Sequence, residues 1–309
     1  MKKIFLYTLL SLFSFNTFSQ TPITVSANSG TVHGPAKGSL IIIGGNVGTT
    51  PAIWNKFVEL AGGKENAKIV VITAAAGDSA ALRMESVDEI KKITGIKSVT
   101  LLHTTNIAEA NSEKFIAPLK QATGVYFLGG RQWRIADYYL NTRTHQAFFE
   151  VLNRGGVIAG SSAGASIQGS FLWRGDTKNS NILVGDHTQG LGFLKNSIID
   201  QHLLTRNRQY DLIEVVKNTP QLIGLGLDEA TAVVVQGDTL EVIGKSYVAI
   251  YDYNTIIGKG KHHVTDDKED YTASSGPFFF LGEHQKYDLK NRVVIKTTAK
   301  QNASTAAGQ

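Results

Sequence analysis

The chain has no cysteine in its 309 residues, which excludes disulfides, a thiol nucleophile, thiolate metal sites and a lipid-bearing cysteine. A large enough core folds without disulfides outside a reducing compartment, so this absence does not oppose export. No apolar run is long enough to cross a bilayer: the N-terminal one covers 4–13, against the ~20 residues a spanning helix needs. No basic run with interleaved aromatics occurs, and a net charge of +5 is too mild and dispersed to argue for nucleic acid. Metal-ligand spacing of the H-E-x-x-H kind is missing, and His187, His262 and His263 stand without it, so no metal is expected. Gly44-Gly45-Asn46-Val47-Gly48 is not G-x-G-x-x-G and has no acid placed for a ribose, so no nucleotide cofactor is expected. Internal repeats are absent too.

The N-terminus has the parts of a secretory signal. Lys2-Lys3 precedes the apolar run, and the small-x-small site Thr17-Phe18-Ser19 follows it. Cleavage after Ser19 takes the net charge from +5 to +3 and leaves an exported protein, periplasmic or extracellular, with no membrane anchor. A polar leader over 20–38, one α/β domain over 39–298 and a polar tail over 299–309 complete the expected organisation. Hydrophobic content of 42% suits a globular core.

Apolar runs at 39–44, 68–73, 98–103, 124–128 and 157–159 alternate with helical patterns at 52–61, 80–94 and 112–121. In the first helix Ile53, Trp54, Phe57, Val58 and Ala61 share one face, and Gly62-Gly63 ends it. This alternation predicts an α/β fold, a mostly parallel sheet with helices on both faces. From 222 onward, short β-branched runs at 222–227, 231–236, 239–243 and 246–251 predict antiparallel additions at one edge of that sheet. A charged loop over 259–270, the aromatics Phe278-Phe279-Phe280 and a strand at 292–297 follow.

Gly160-Ser161-Ser162-Ala163-Gly164-Ala165 satisfies G-x-S-x-G directly after a strand. A tight glycine-flanked turn there lifts one hydroxyl out of the backbone and aims the next amide, Ala163, at the same point. Ser162 is the central serine, and Ser161 stands one place early. A serine hydroxyl needs a base, and His202 is the candidate. Glycines let backbone approach closely, so a Gly129-Gly130 amide is the expected second oxyanion donor beside Ala163.

Gly129-Gly130-Arg131-Gln132, the serine run, Asp200-Gln201-His202 with Arg206 and Arg208, and Leu225-Gly226-Leu227-Asp228-Glu229-Ala230-Thr231-Ala232 occur in the order found in cyanophycinases. The chain thus resembles that family, of the dipeptidase E group of serine peptidases, over roughly 39–244. The resemblance implies a flavodoxin-like fold of the class I glutamine amidotransferase kind. It also implies hydrolysis of cyanophycin, a polyaspartate carrying arginine in isopeptide linkage, to β-aspartyl-arginine dipeptides.

Glu229 matches the family's acid position, with Asp176 as competitor and Asp228 as a capping residue. Gln132, Asp200, Gln201, Arg206 and Arg208 match the residues that grip substrate. Paired arginines suit carboxylates, and Asp200 suits a substrate guanidinium. Two positions depart: Asp211 stands where the family shows a third arginine, and Arg131 where it shows aspartate. They read either as a compensating charge exchange or as the mark of a different ligand.

Three other readings compete. The first is an aspartyl or isoaspartyl dipeptidase of the same family. An α/β-hydrolase esterase is the second, though that fold places its acid before its histidine and no convincing histidine follows His284. A non-catalytic polymer-binding protein is the third. A homodimer is compatible with all of them.

Overall fold

The computed structural model describes residues 33–77, 80–257 and 277–296. The expected signal segment, the polar leader up to residue 32, the charged loop 259–270 with His262 and His263, and the tail 299–309 lie outside the described residues.

Five strands form the parallel core: β1 (Ser39–Ile43), β2 (Lys68–Ile72), β3 (Ser98–Leu102), β4 (Gly124–Phe127) and β5 (Val157–Ser161). Two more, β6 (Gly169–Phe171) and β7 (Leu194–Gln201), precede β8 (Ile223–Leu227). Then come β9 (Thr231–Gln236), β10 (Thr239–Gly244) and β11 (Val248–Tyr251). The last are β12 (Phe279–Leu281), β13 (Lys286–Asp288) and β14 (Val293–Ile295).

They make two sheets, a nine-stranded one ordered β14-β13-β10-β9-β1-β5-β4-β2-β3 and a five-stranded one ordered β12-β11-β8-β7-β6. All five residues of β1 are buried, as a parallel strand covered on both faces requires. Leu40 and Ile42 face one apolar cluster and Ile41 and Ile43 the other. The second cluster is closed by the helix Pro51–Leu60 through Ile53, Trp54 and Phe57, and by Val87 and Ile90 of the helix Ala80–Thr94. Trp54 stacks on Tyr126 of β4 at 5.2 Å between ring centroids, which seats the first helix. The other face is covered by the helices Gln132–Tyr139 and Arg143–Asn153 and by the second sheet.

The four C-terminal runs do not all join one edge. Of these four, β9 and β10 extend the main sheet, antiparallel beyond β1, while β8 and β11 belong to the second sheet, where β8 pairs parallel with β7. The chain changes sheet between β8 and β9, at Asp228–Ala230, and changes back after β10. Buried strands read alike whichever sheet they join, so pattern alone did not separate them. The 112–121 helix is shorter than its pattern: an α-turn Glu113–Ile116 capped by the Ser112 hydroxyl gives way to a 3₁₀ turn at Ala117–Lys120. Pro118 lacks the N–H a continuing α-helix needs. The helices Gln132–Tyr139 and Arg143–Asn153 stand beyond those the sequence patterns predict.

Candidate active site

The site lies where β1, β5, β7 and β8 end and the two sheets meet. Ser162 follows β5 directly and adopts φ 56°, ψ −113°, a region a side-chain-bearing residue occupies only when its surroundings force it. Both flanking glycines are obligatory. A Cβ on Gly160 would lie 2.2 Å from the Gly164 carbonyl oxygen, and one on Gly164 would lie 2.3 Å from that of Phe127. Ala163 opens a short helix, Ala163–Ser166, so its amide has no carbonyl to serve within that helix. Gly129, on the loop after β4, runs against the serine, with its missing Cβ 3.3 Å from that of Ser162.

Ser162 Oγ lies 2.9 Å from His202 Nε2, and His202 Nδ1 lies 2.7 Å from Glu229 Oε1. The second Glu229 oxygen accepts from Asn46 Nδ2 at 3.0 Å. His202 sits just past the end of β7 in the left-handed region, φ 54°, and is buried. Burial holds its imidazole below the ordinary histidine range and outweighs the upward pull of Glu229, while Arg206 and Arg208 push the same way as burial. The Asn46 hydrogen bond, helped by His202, keeps Glu229 below the usual carboxylate range. A buried neutral imidazole between a hydroxyl and an ionised carboxylate is equipped to take a proton from that hydroxyl.

Asp176 has no place in this arrangement. Its Oδ1 accepts from the amides of Lys178 and Asn179, closing a local turn, and the Arg131 guanidinium donates to its carbonyl. Asp228 caps the turn after His202. Its Oδ1 takes the Leu204 and Thr205 amides and the Thr205 hydroxyl, and its Oδ2 takes Ser246 Oγ.

The expected substrate-gripping residues divide. Arg206 is exposed on that capped turn, its amide bonded to the His202 carbonyl at 2.9 Å. Asp200, expected to meet a substrate guanidinium, is instead fully buried and already neutralised. Arg174 Nε donates to its Oδ1 at 3.0 Å, Arg174 NH2 to its Oδ2 at 3.3 Å, and Trp173 Nε1 to its Oδ2 at 3.1 Å. Arg208 is buried too and donates to the Gln201 carbonyl and side-chain oxygen at 2.9 and 2.8 Å. Gln132 is buried at the start of its helix and donates to the Trp173 and Arg174 carbonyls. These side chains are spent on buried contacts, whereas Arg206 faces solvent.

The two departures do not pair with each other. Asp211 pairs with Arg174, while Arg131 holds the Asp176 carbonyl, so both fasten the segment around 174–176. No sequence motif points to Arg174, whose part in burying Asp200 is set by contacts between distant segments. The glycine pair after β1 is the one signal in the sequence for Gly45 and Asn46, and it marks close approach to His202 rather than a nucleotide loop. Among the described residues no group of three histidines or carboxylates is arranged to hold a metal. His187 is spent between Asp137 and Asp186, at 2.7 and 2.8 Å.

Comparison with known proteins gives a consistent picture. The model of Peptidase family S51 matches residues 40–243. A cyanophycinase of Synechococcus elongatus is 30% identical over 268 residues, 85% of this chain and 82% of that protein. One of Trichormus variabilis is 29% identical over 240 residues, 75% and 79% of the respective chains. The crystal structure of a peptidase from an acI-B1 actinobacterium shares the fold, with a TM-score of 0.62 at 22% identity over 83% of this chain and 98% of that one.

Proposed function

The chain belongs to peptidase family S51 and is a serine peptidase, and from that premise we propose that it cleaves the polyaspartate backbone of cyanophycin through Ser162, His202 and Glu229. The observation that carries the assignment is the continuous relay from Ser162 Oγ through His202 to Glu229, at 2.9 and 2.7 Å. Ser162 Oγ attacks the scissile carbonyl as His202 Nε2 takes its proton, and Glu229 stabilises the imidazolium. The Ala163 amide and a Gly129–Gly130 amide receive the oxyanion. His202 then protonates the leaving amine, and water hydrolyses the acyl-enzyme to free the β-aspartyl-arginine product. Exposed Arg206 offers its guanidinium to a substrate carboxylate.

Names of the relatives support the polymer as substrate. A shorter substrate is the second reading, and the burial of Asp200 beneath Arg174 favours it, because a carboxylate expected for the polymer's arginines is withdrawn. Purified protein offered insoluble cyanophycin beside Asp-X and β-Asp-X dipeptides decides the matter. Release of β-aspartyl-arginine from the insoluble polymer is expected, and turnover of dipeptides alone would overturn it. A simple esterase is disfavoured by the Ser, His, acid order. A non-catalytic role predicts polymer binding without phosphonate labelling of Ser162. Export is proposed from Lys2-Lys3, the apolar run over 4–13 and Thr17-Phe18-Ser19. Among the described residues no helix is long and apolar enough to cross a membrane.

A further inference from the structure

Four successive residues at the end of β1 each hold one arm of the site. The Ile43 carbonyl accepts from the Ser162 amide at 3.0 Å, the Gly44 carbonyl from the His202 amide at 2.8 Å, and the Gly45 carbonyl from the Ala230 amide at 2.9 Å. Asn46 then donates its side-chain amide to Glu229 Oε2. The first three contacts fix main chain. Gly45 also fixes a ring, because a Cβ there would stand 2.3 Å from His202 Cε1 and 2.5 Å from Nδ1. The imidazole therefore packs directly against bare backbone at Gly45.

What the backbone bonds leave undetermined is the Glu229 carboxylate. Its side chain has several rotatable bonds and is 22% exposed, so solvent competes with His202 for both oxygens. One oxygen on His202 and the other on Asn46 makes a two-point hold that defines the carboxylate plane. An ionised carboxylate only accepts, so chemistry requires the Asn46 atom facing it to be the amide nitrogen. The donor is neutral, and that suits the task. A lysine or arginine would hold the carboxylate equally well but draw its charge away from the imidazolium. The backbone selects the residue as well, since Asn46 has φ 36°, a region asparagine enters more readily than other side-chain-bearing residues.

We propose that Asn46 is a positioning residue that fixes the Glu229 carboxylate against His202, an inference that rests on the Ser162–His202–Glu229 reading above. The Asn46 side chain is bonded to Glu229 and not to Ser162 or His202, so its influence on the serine passes through the carboxylate.

Two variants separate this from a role in loop shape. Asn46→Gly suits the left-handed backbone and removes only the amide. Asn46→Asp keeps the shape and puts a second carboxylate against the first. The measurement is the rate of Ser162 labelling by a fluorophosphonate, which needs no knowledge of the substrate, together with the downfield proton resonance of His202 Nδ1–H. Labelling should slow about tenfold or more in Asn46→Gly and further in Asn46→Asp above neutral pH, with kcat falling and KM held on any cleaved substrate. The Nδ1–H resonance should broaden or vanish in both. Near-normal labelling in the isosteric Asn46→Asp, or an unchanged resonance in Asn46→Gly, overturns the proposal. If Ser162 of the unaltered protein does not label, the relay reading fails, while the resonance still tells whether Asn46 holds Glu229.

Discussion

Arg174 and Asp200 form a buried two-point ion pair, with Arg174 Nε and NH2 on the two carboxylate oxygens at 3.0 and 3.3 Å. Both side chains are almost wholly removed from solvent. The pair lies immediately behind Gln201 and His202, so it anchors the strand end that carries the base. Asp211 and the Ser180 carbonyl complete the guanidinium's partners. Arg174→Met should therefore strand a buried carboxylate at Asp200. Losing one member of such a pair costs about 3–5 kcal/mol; Arg208 NH1, 3.5 Å from Asp200, offsets part of this. Asp200→Asn should cost less, because an amide oxygen still accepts. Urea unfolding of both variants tests the ranking, and equal stabilities would refute it.

Ser162→Ala should remove several orders of magnitude from the rate with the fold unchanged. Ser161→Ala should be mild, because Ser161 is the last residue of β5 and is buried beside Tyr126. Single-turnover rates with circular dichroism on each variant decide the register of the turn, and a dead Ser161→Ala would shift it by one residue.

Glu229→Gln should lower kcat by about 10²–10⁴-fold with little change in KM, since it removes the charge that stabilises the His202 imidazolium. Asp176→Asn should have a small effect, because the turn closed by Lys178 and Asn179 survives with an amide oxygen as acceptor. The reverse order in steady-state kinetics would make Glu229 a structural carboxylate.

The pH profile follows from His202, which must be neutral to accept a proton. Burial holds its pKa below the ordinary histidine value of ~6.5, so activity should persist through neutral pH and be lost only as pH falls below that value. Removing the upward pull of the carboxylate in Glu229→Gln should move this acid limb lower still. A kcat/KM profile with its acid midpoint above the ordinary value would contradict the buried, neutral imidazole.

Much of this was legible in the sequence, and the reason lies in local geometry. A glycine-flanked serine after a buried strand defines its own turn, and alternating apolar runs and helical patterns define a parallel core without reference to distant residues. Motif order along the chain carried the family resemblance. What the sequence left open were contacts between segments far apart. Glu229 and Asp176 were both plausible partners for His202 because an acid's value as a partner depends on where its oxygens point. Folding sends Glu229 through the seam between the sheets and turns Asp176 back on its own loop.

The sequence by itself determined the α/β alternation, the turn at Ser162 and the small residues it needs, since these follow from backbone sterics within a few residues. Only the tertiary structure decided that Asp200 is buried under Arg174 rather than offered to a ligand. It likewise decided that β8 and β9 part into different sheets and that Asn46 meets Glu229 across 183 positions of chain. Burial and charge pairing are properties of a packed surface, and no stretch of chain contains that surface until the two sheets close on each other.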